Sequence, residues 1–204
     1  MSKPAPLRHG VHYHIYNRGN NRENLFREER NYPYFLKLYA KHIEPVAETF
    51  AYCLLKNHFH FLVRIKDPKG FEQHPKGLED PSGVKLPEPS QCFSNLFNAY
   101  TKSINKAYER TGSLFEHPFG RIAVTRHAYL MRLVTYIHQN PQKHGFVADF
   151  RDWPYSSYHA LSDPSGPNRE SVLEWFYNRE QFANAHAQLI AENEIVALAP
   201  DDFD

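Results

Sequence analysis

Cysteine is nearly absent from this chain. Cys53 and Cys92 lie far apart and outside any Cys-x-x-Cys pairing, which excludes a cysteine zinc site and a disulfide framework. Long hydrophobic runs are missing as well. Nothing approaches the ~18 consecutive apolar residues of a membrane helix, and Met1 to Gly10 has no apolar signal core. A soluble protein of the reducing cytoplasm, without a membrane partner, is therefore expected. Excess charge of one sign is lacking too: 24 Lys and Arg stand against 23 Asp and Glu. So balanced a chain does not bind polyanions with its whole surface. A nucleic-acid partner would require basic residues concentrated in places. No internal repeat is visible.

What the chain does have is aromatic mass and histidine. Of its 204 residues, 41% are hydrophobic, enough for one domain with a real core. The 13 Tyr and 15 Phe serve that core and supply surface on which bases could stack. The 13 His add positive charge below about pH 6.5.

Hydrophobic periodicity sets out the elements. Val11 to Asn17 alternates as a strand, and the turn-rich Arg18 to Asn24 follows. Glu28 to Ile43 has helical spacing, with Pro33 admissible only in its first turn. Thr49–Leu55 and His58–Ile65 form a hairpin across a tight turn at Lys56-Asn57. Asp67 to Ser90 is rich in Pro and Gly and reads as a mobile inserted loop (67–90). Gln91 to Arg110 is a helix ended by Gly112. Phe119 to Thr125 is a strand, and His127 to Asn140 is a helix stopped by Pro141. A final amphipathic helix runs from Ser171 to about Glu192, before an acidic tail. The order predicts an α+β fold: a ferredoxin-like βαββαβ core with an antiparallel sheet and helices on one face, plus a C-terminal helical extension.

Two patterns could carry chemistry. His58-Phe59-His60 lies on a strand, where alternation sends Phe59, Phe61 and Val63 into the core and both imidazoles to the other face. They stand about 7 Å apart along the strand, near enough to share one metal ion. In the helix His127–Asn140, Leu130, Leu133, Val134 and Ile137 form the buried stripe. Tyr136 lies at its edge, with Asn140 one turn on along the same face. A metal-binding pair and a phenol in this order suggest a metal-plus-tyrosine centre.

Leu55 to Val63 (LKNHFHFLV) resembles the HUH motif of single-tyrosine transposases, and Tyr13 to Arg22 (YHIYNRGNNR) resembles their opening strand and loop. Tyr136 to Pro141, Lys143-His144-Gly145 and Trp153 to Ser157 are most similar to the REP-associated tyrosine transposases. The resemblance runs from about Val11 to Tyr158. It implies a transposase domain over 1–160, followed by a helical extension and acidic tail over 161–204. It also implies cleavage and rejoining of single-stranded hairpin DNA through a 5′-phosphotyrosine, with Tyr136 as nucleophile. His58 and His60 would hold a divalent metal, Mg²⁺ or Mn²⁺, with Asn140 standing where related insertion-sequence transposases have Gln. The metal or a nearby base would activate the phenol, with Lys143 and His138 as the candidate bases. DNA contact falls to Arg18 and Arg22, to Lys102, Lys106 and Arg110, and to Arg121, Arg126 and Arg132. Both monomer and homodimer are open. The rival readings are a non-catalytic ferredoxin-like nucleic-acid-binding module and a metal-dependent hydrolase of small phosphoesters.

Overall fold

The computed structural model describes residues 5–67, 88–162 and 169–190. Most of the 67–90 loop and all of the tail from 191 lie outside these residues.

Four strands, β1 (His12–Arg18), β2 (Ala47–Leu54), β3 (His58–Ile65) and β4 (Gly120–Val124), form one sheet of order β2-β3-β1-β4, every neighbouring pair antiparallel. This is the strand order of a βαββαβ core. Leu55 N–H donates to the His58 carbonyl at 2.9 Å, which closes the hairpin around Lys56-Asn57. Alternation along β3 then dictates the two faces.

One face takes the two crossover helices, α1 (Asn31–His42) and α2 (Pro89–Ala107). Phe35 packs on Phe59 at 5.4 Å, Tyr39 stacks on Phe61 at 4.3 Å, and Phe97 meets Phe59 at 5.7 Å. A third helix, α3 (His127–Lys143), covers the other face, where the histidines of β3 point. The core crossovers thus share one face as expected, while the helix after the core occupies the opposite one.

Several boundaries depart from the sequence reading for local reasons. Helix α2 begins inside the expected loop, because Glu88 caps it by accepting the Gln91 N–H and Pro89 suits a first-turn position. It ends at Ala107, well before Gly112, where Glu109 turns left-handed at φ 50°. Pro141 does not stop α3 but rides in its last turn. There the helix closes with Gly145 at φ 68°, its N–H donating to the Gln142 carbonyl and that of Phe146 to the Pro141 carbonyl. The single final helix is two: α5 (Arg169–Trp175) and α6 (Arg179–Ala187). Tyr177 adopts φ 65°, and the Asn178 side chain caps α6 through the Gln181 N–H. Short helix α4 (Tyr158–Ser162) precedes them, and all three lie within reach of one another or of α3.

Candidate functional site

Sheet alternation and helix packing bring four side chains to one point between β3 and α3. His60 and Tyr136 meet edge to face, ring centroids 5.6 Å apart at 71°. His58 and His60 stand at 5.2 Å and 82°. One turn beyond Tyr136, Asn140 turns its Oδ1 toward His58 Nε2 at 3.1 Å. The cluster is almost dry: Tyr136 and His60 are each 1% exposed, and Asn140 is fully buried.

The Tyr136 hydroxyl has no hydrogen-bond partner among the described residues. That is uncommon for a buried phenol, because leaving a buried hydroxyl unmatched costs about 1–3 kcal/mol. Lys143 Nζ lies 5.3 Å from the centre of the same ring. On the solvent side the exposed His144 crosses the His58 ring at 4.8 Å.

Burial pushes the His60 pKa well below its ordinary value, and the neighbouring His14, His144 and Arg18 push it the same way. His60 is therefore neutral across the physiological range. Each imidazole of the pair is also held from behind. His58 Nδ1 lies 2.8 Å from Asn57 Oδ1, and His60 Nδ1 lies 2.9 Å from His14 Nε2. Among the described residues no cluster of three or more His, Cys, Asp or Glu converges as a metal site. Any ion here would rest on the histidine pair and an amide.

The basic residues divide by face. Arg18 pairs in register with His58 and shares the imidazole side of the sheet, and Arg22 is exposed in the loop beyond it. Arg126 is the N-cap residue of α3 and Arg132 lies on the helix, one turn before Tyr136, both exposed. Lys102 and Lys106 are exposed on α2, across the sheet from the imidazoles. Arg121 also falls on that far face, in register with Ile15; it donates to Ser90 Oγ and lies over the Phe119 ring at 3.8 Å. Arg110 is engaged structurally: its Nε and Nη2 both donate to Glu23 Oε2, at 3.0 and 2.7 Å, and its side chain is 11% exposed. Lys102, Lys106 and Arg110 thus stand apart from the cluster, and strand parity puts Arg121, expected close to the active helix, on the far face as well.

His138 is likewise directed elsewhere. Its Nδ1 lies 2.8 Å from His186 Nε2 and its Nε2 lies 2.9 Å from Ser157 Oγ. Sequence reasoning missed His14, Asn57 and His144. The first two support the pair, yet they sit in a strand and a turn with no pattern that marks them.

Comparison with known proteins gives a consistent picture. No family model matches the chain. A curated Escherichia coli protein named REP-associated tyrosine transposase is 28% identical over 109 residues, 49% of this chain and 62% of that protein. A Haemophilus influenzae protein assigned provisionally to the same kind is 26% identical over 114 residues, 55% of this chain and 59% of that one. The alignments span about three fifths of these curated relatives. A solved structure of a REP-associated tyrosine transposase bound to a REP hairpin superposes with a TM-score of 0.58 at 20% identity, over 81% of this chain and 87% of that one. The chain shares the fold of that structure, and its curated relatives are REP-associated tyrosine transposases. Among the described residues no helix is long and apolar enough to cross a membrane.

Proposed function

We propose that this relative of the REP-associated tyrosine transposases cleaves and rejoins single-stranded hairpin DNA through Tyr136. The observation that carries the proposal is the buried Tyr136 hydroxyl, free of any hydrogen bond among the described residues, set edge to face with His60 beside the His58–Asn140 contact. A phenol that serves only the core has no reason to keep its hydroxyl unmatched.

The donor set fits a divalent ion. Asn57 Oδ1 can only accept, so His58 carries a proton on Nδ1, and a neutral His58 then turns a lone pair on Nε2 toward Asn140 Oδ1. An imidazole nitrogen lone pair beside an amide oxygen is the kind of donor set a divalent ion would take. His58, His60 and Asn140 would hold it, and two imidazoles with one amide oxygen suit Mn²⁺ better than Mg²⁺. Such an ion, when bound, polarises the scissile phosphate and offsets its developing charge.

The chain's own groups do the rest. Tyr136 Oη attacks phosphorus, losing its proton as the new P–O bond forms. The bond to the 3′ oxygen breaks, and that oxygen takes up a proton as a 3′-OH. The resulting 5′-phosphotyrosine is still an ester, so a second 3′-OH can reverse the step and join strands. Lys143, whose Nζ lies 5.3 Å from the centre of the Tyr136 ring, is the candidate for activating the phenol. His138 is unsuited to activate it, since both its ring nitrogens already face partners. The dry surroundings strengthen these interactions. Arg18, Arg22, Arg126 and Arg132 supply phosphate contacts.

The test is covalent capture. Labelled single-stranded hairpin DNA is incubated with the protein and Mn²⁺, then run on a denaturing protein gel. An adduct is expected with wild type, and none with Tyr136→Phe or with His58→Ala/His60→Ala. An adduct that persists in Tyr136→Phe overturns the assignment of the nucleophile. Tight hairpin binding with no wild-type adduct points instead to a non-catalytic binding module.

A further inference from the structure

Resting on the metal reading above, we propose that His14 is a positioning residue that presets the His60 tautomer for binding the ion. His14 lies on β1, opposite Leu62, so His60 is its diagonal neighbour across the strand pair. It is fully buried, and its Nε2 stands 2.9 Å from His60 Nδ1 with the two rings 25° apart. Tyr16, two residues along, flanks the pair at 4.9 Å from His14 and 6.3 Å from His60. A Cβ on the facing Gly120 would come within 2.2 Å of the Tyr16 ring, so the glycine leaves that ring the room it occupies.

With His60 neutral, the hydrogen bond between the two rings runs in one of two directions. If His14 donates, His60 accepts on Nδ1, carries its proton on Nε2 and offers a metal nothing. If His60 donates through Nδ1–H, its Nε2 presents a lone pair. Only the second arrangement makes a ligand. His58 shows the same design, with Asn57 Oδ1 accepting from Nδ1 so that Nε2 points toward Asn140. Outer partners of this kind fix ring orientation, and losing one typically weakens metal binding about 10- to 100-fold.

The test titrates the full-length protein with Mn²⁺, followed by the loss of the free-ion EPR signal. His14→Leu is expected to weaken binding about 10- to 100-fold. His14→Gln, whose amide oxygen reaches the same place and accepts from Nδ1–H, is expected to stay within about threefold of wild type. A second measurement needs no variant. Nitrogen-15 NMR of the metal-free wild type should find His60 protonated on Nδ1. If His14→Leu binds Mn²⁺ as tightly as wild type, or if His60 carries its proton on Nε2, the inference is wrong. A wild type that binds no Mn²⁺ sinks the metal reading itself.

Discussion

At the scale of single residues, the centre is built from groups that do little for stability. The Tyr136 phenol contributes ring packing on His60, but its hydroxyl is buried without a partner among the described residues. Removing that oxygen relieves a desolvation cost and leaves the ring in place. Tyr136→Phe should therefore melt higher than wild type by roughly 2–4 °C, the shift that about 1 kcal/mol produces in a domain of this size. Differential scanning calorimetry reads it directly. A variant that melts lower would mean that the hydroxyl makes a bond in the folded protein, and the case for a poised nucleophile would weaken. The shared face of His58 and His60 was legible from strand alternation. Tyr136, expected at the edge of a buried stripe, lies in a stretch of α3 buried on every side from Leu133 to Pro141, and only the combination of the two patterns singled it out. His14 was not legible. Its contact with His60 exists only through the register of β1 on β3, which no property of residues 12–18 encodes by itself.

Among the elements, α3 carries the phenol and α6 holds α3. His186 Nδ1 donates to the Phe182 carbonyl at 2.7 Å, so with both rings neutral its Nε2 accepts from His138 Nδ1–H at 2.8 Å, and His138 Nε2 lies 2.9 Å from Ser157 Oγ. Gln139 adds donors to the carbonyls of His186 and Gln188 and accepts the Ile190 N–H. The Gln139 links do not titrate, whereas the two buried imidazoles are held neutral. Burial depresses the His186 pKa from 6.5 to about 4 and holds His138 well below its ordinary value, with His186 and His159 adding repulsion at His138. The aromatic neighbours of His186, namely Tyr158, Phe150, Phe176 and Phe182, carry no negative charge to offset a proton. A histidine depressed in the folded state takes its proton first in the unfolded chain. Its stabilisation is full above pH 6.5 and is lost as pH falls toward 4, by about 1.4 kcal/mol per unit for this one group. Hydrogen exchange at α6 amides should accelerate between about pH 6.5 and 4.5, ahead of β1 and β3, after correction for the intrinsic rate. Uniform behaviour of α6 and the sheet would rule out a separately titrating strap. Neither the strap nor the break between α5 and α6 was legible in the sequence. Ser171 to Glu192 keeps amphipathic spacing throughout, and only the left-handed turn at Tyr177 and the Asn178 cap divide it. The βαββαβ order, in contrast, followed from local periodicity, helical spacing for its helices and alternation for its strands, and the span of β3 from alternation.

For the molecule as a whole, a near-neutral net charge directs attention to how charge is distributed over the two faces of the sheet. The imidazole side has Arg18 in register with His58, Arg126 exposed at the start of α3, and Arg132 exposed on it. The opposite side has Lys102 and Lys106 exposed on α2, while Arg110 is paired with Glu23 and Arg121 packs on Phe119. A DNA strand whose scissile phosphate reaches Tyr136 runs along the first side and cannot touch the second without wrapping around the sheet. Removing one cation that neutralises a phosphate should reduce the steepness of log affinity against log salt by about 0.7–0.9. Arg18→Ala with Arg132→Ala should therefore flatten the salt dependence of hairpin binding by roughly 1.5 and weaken binding several-fold at low salt, read by fluorescence anisotropy. Lys102→Ala with Lys106→Ala should change neither quantity by more than about twofold, because steering by distant exposed charges fades beyond the Debye length of about 8–10 Å. Equal effects from both pairs would require DNA to engage both faces at once, and the one-sided path to Tyr136 would have to be abandoned.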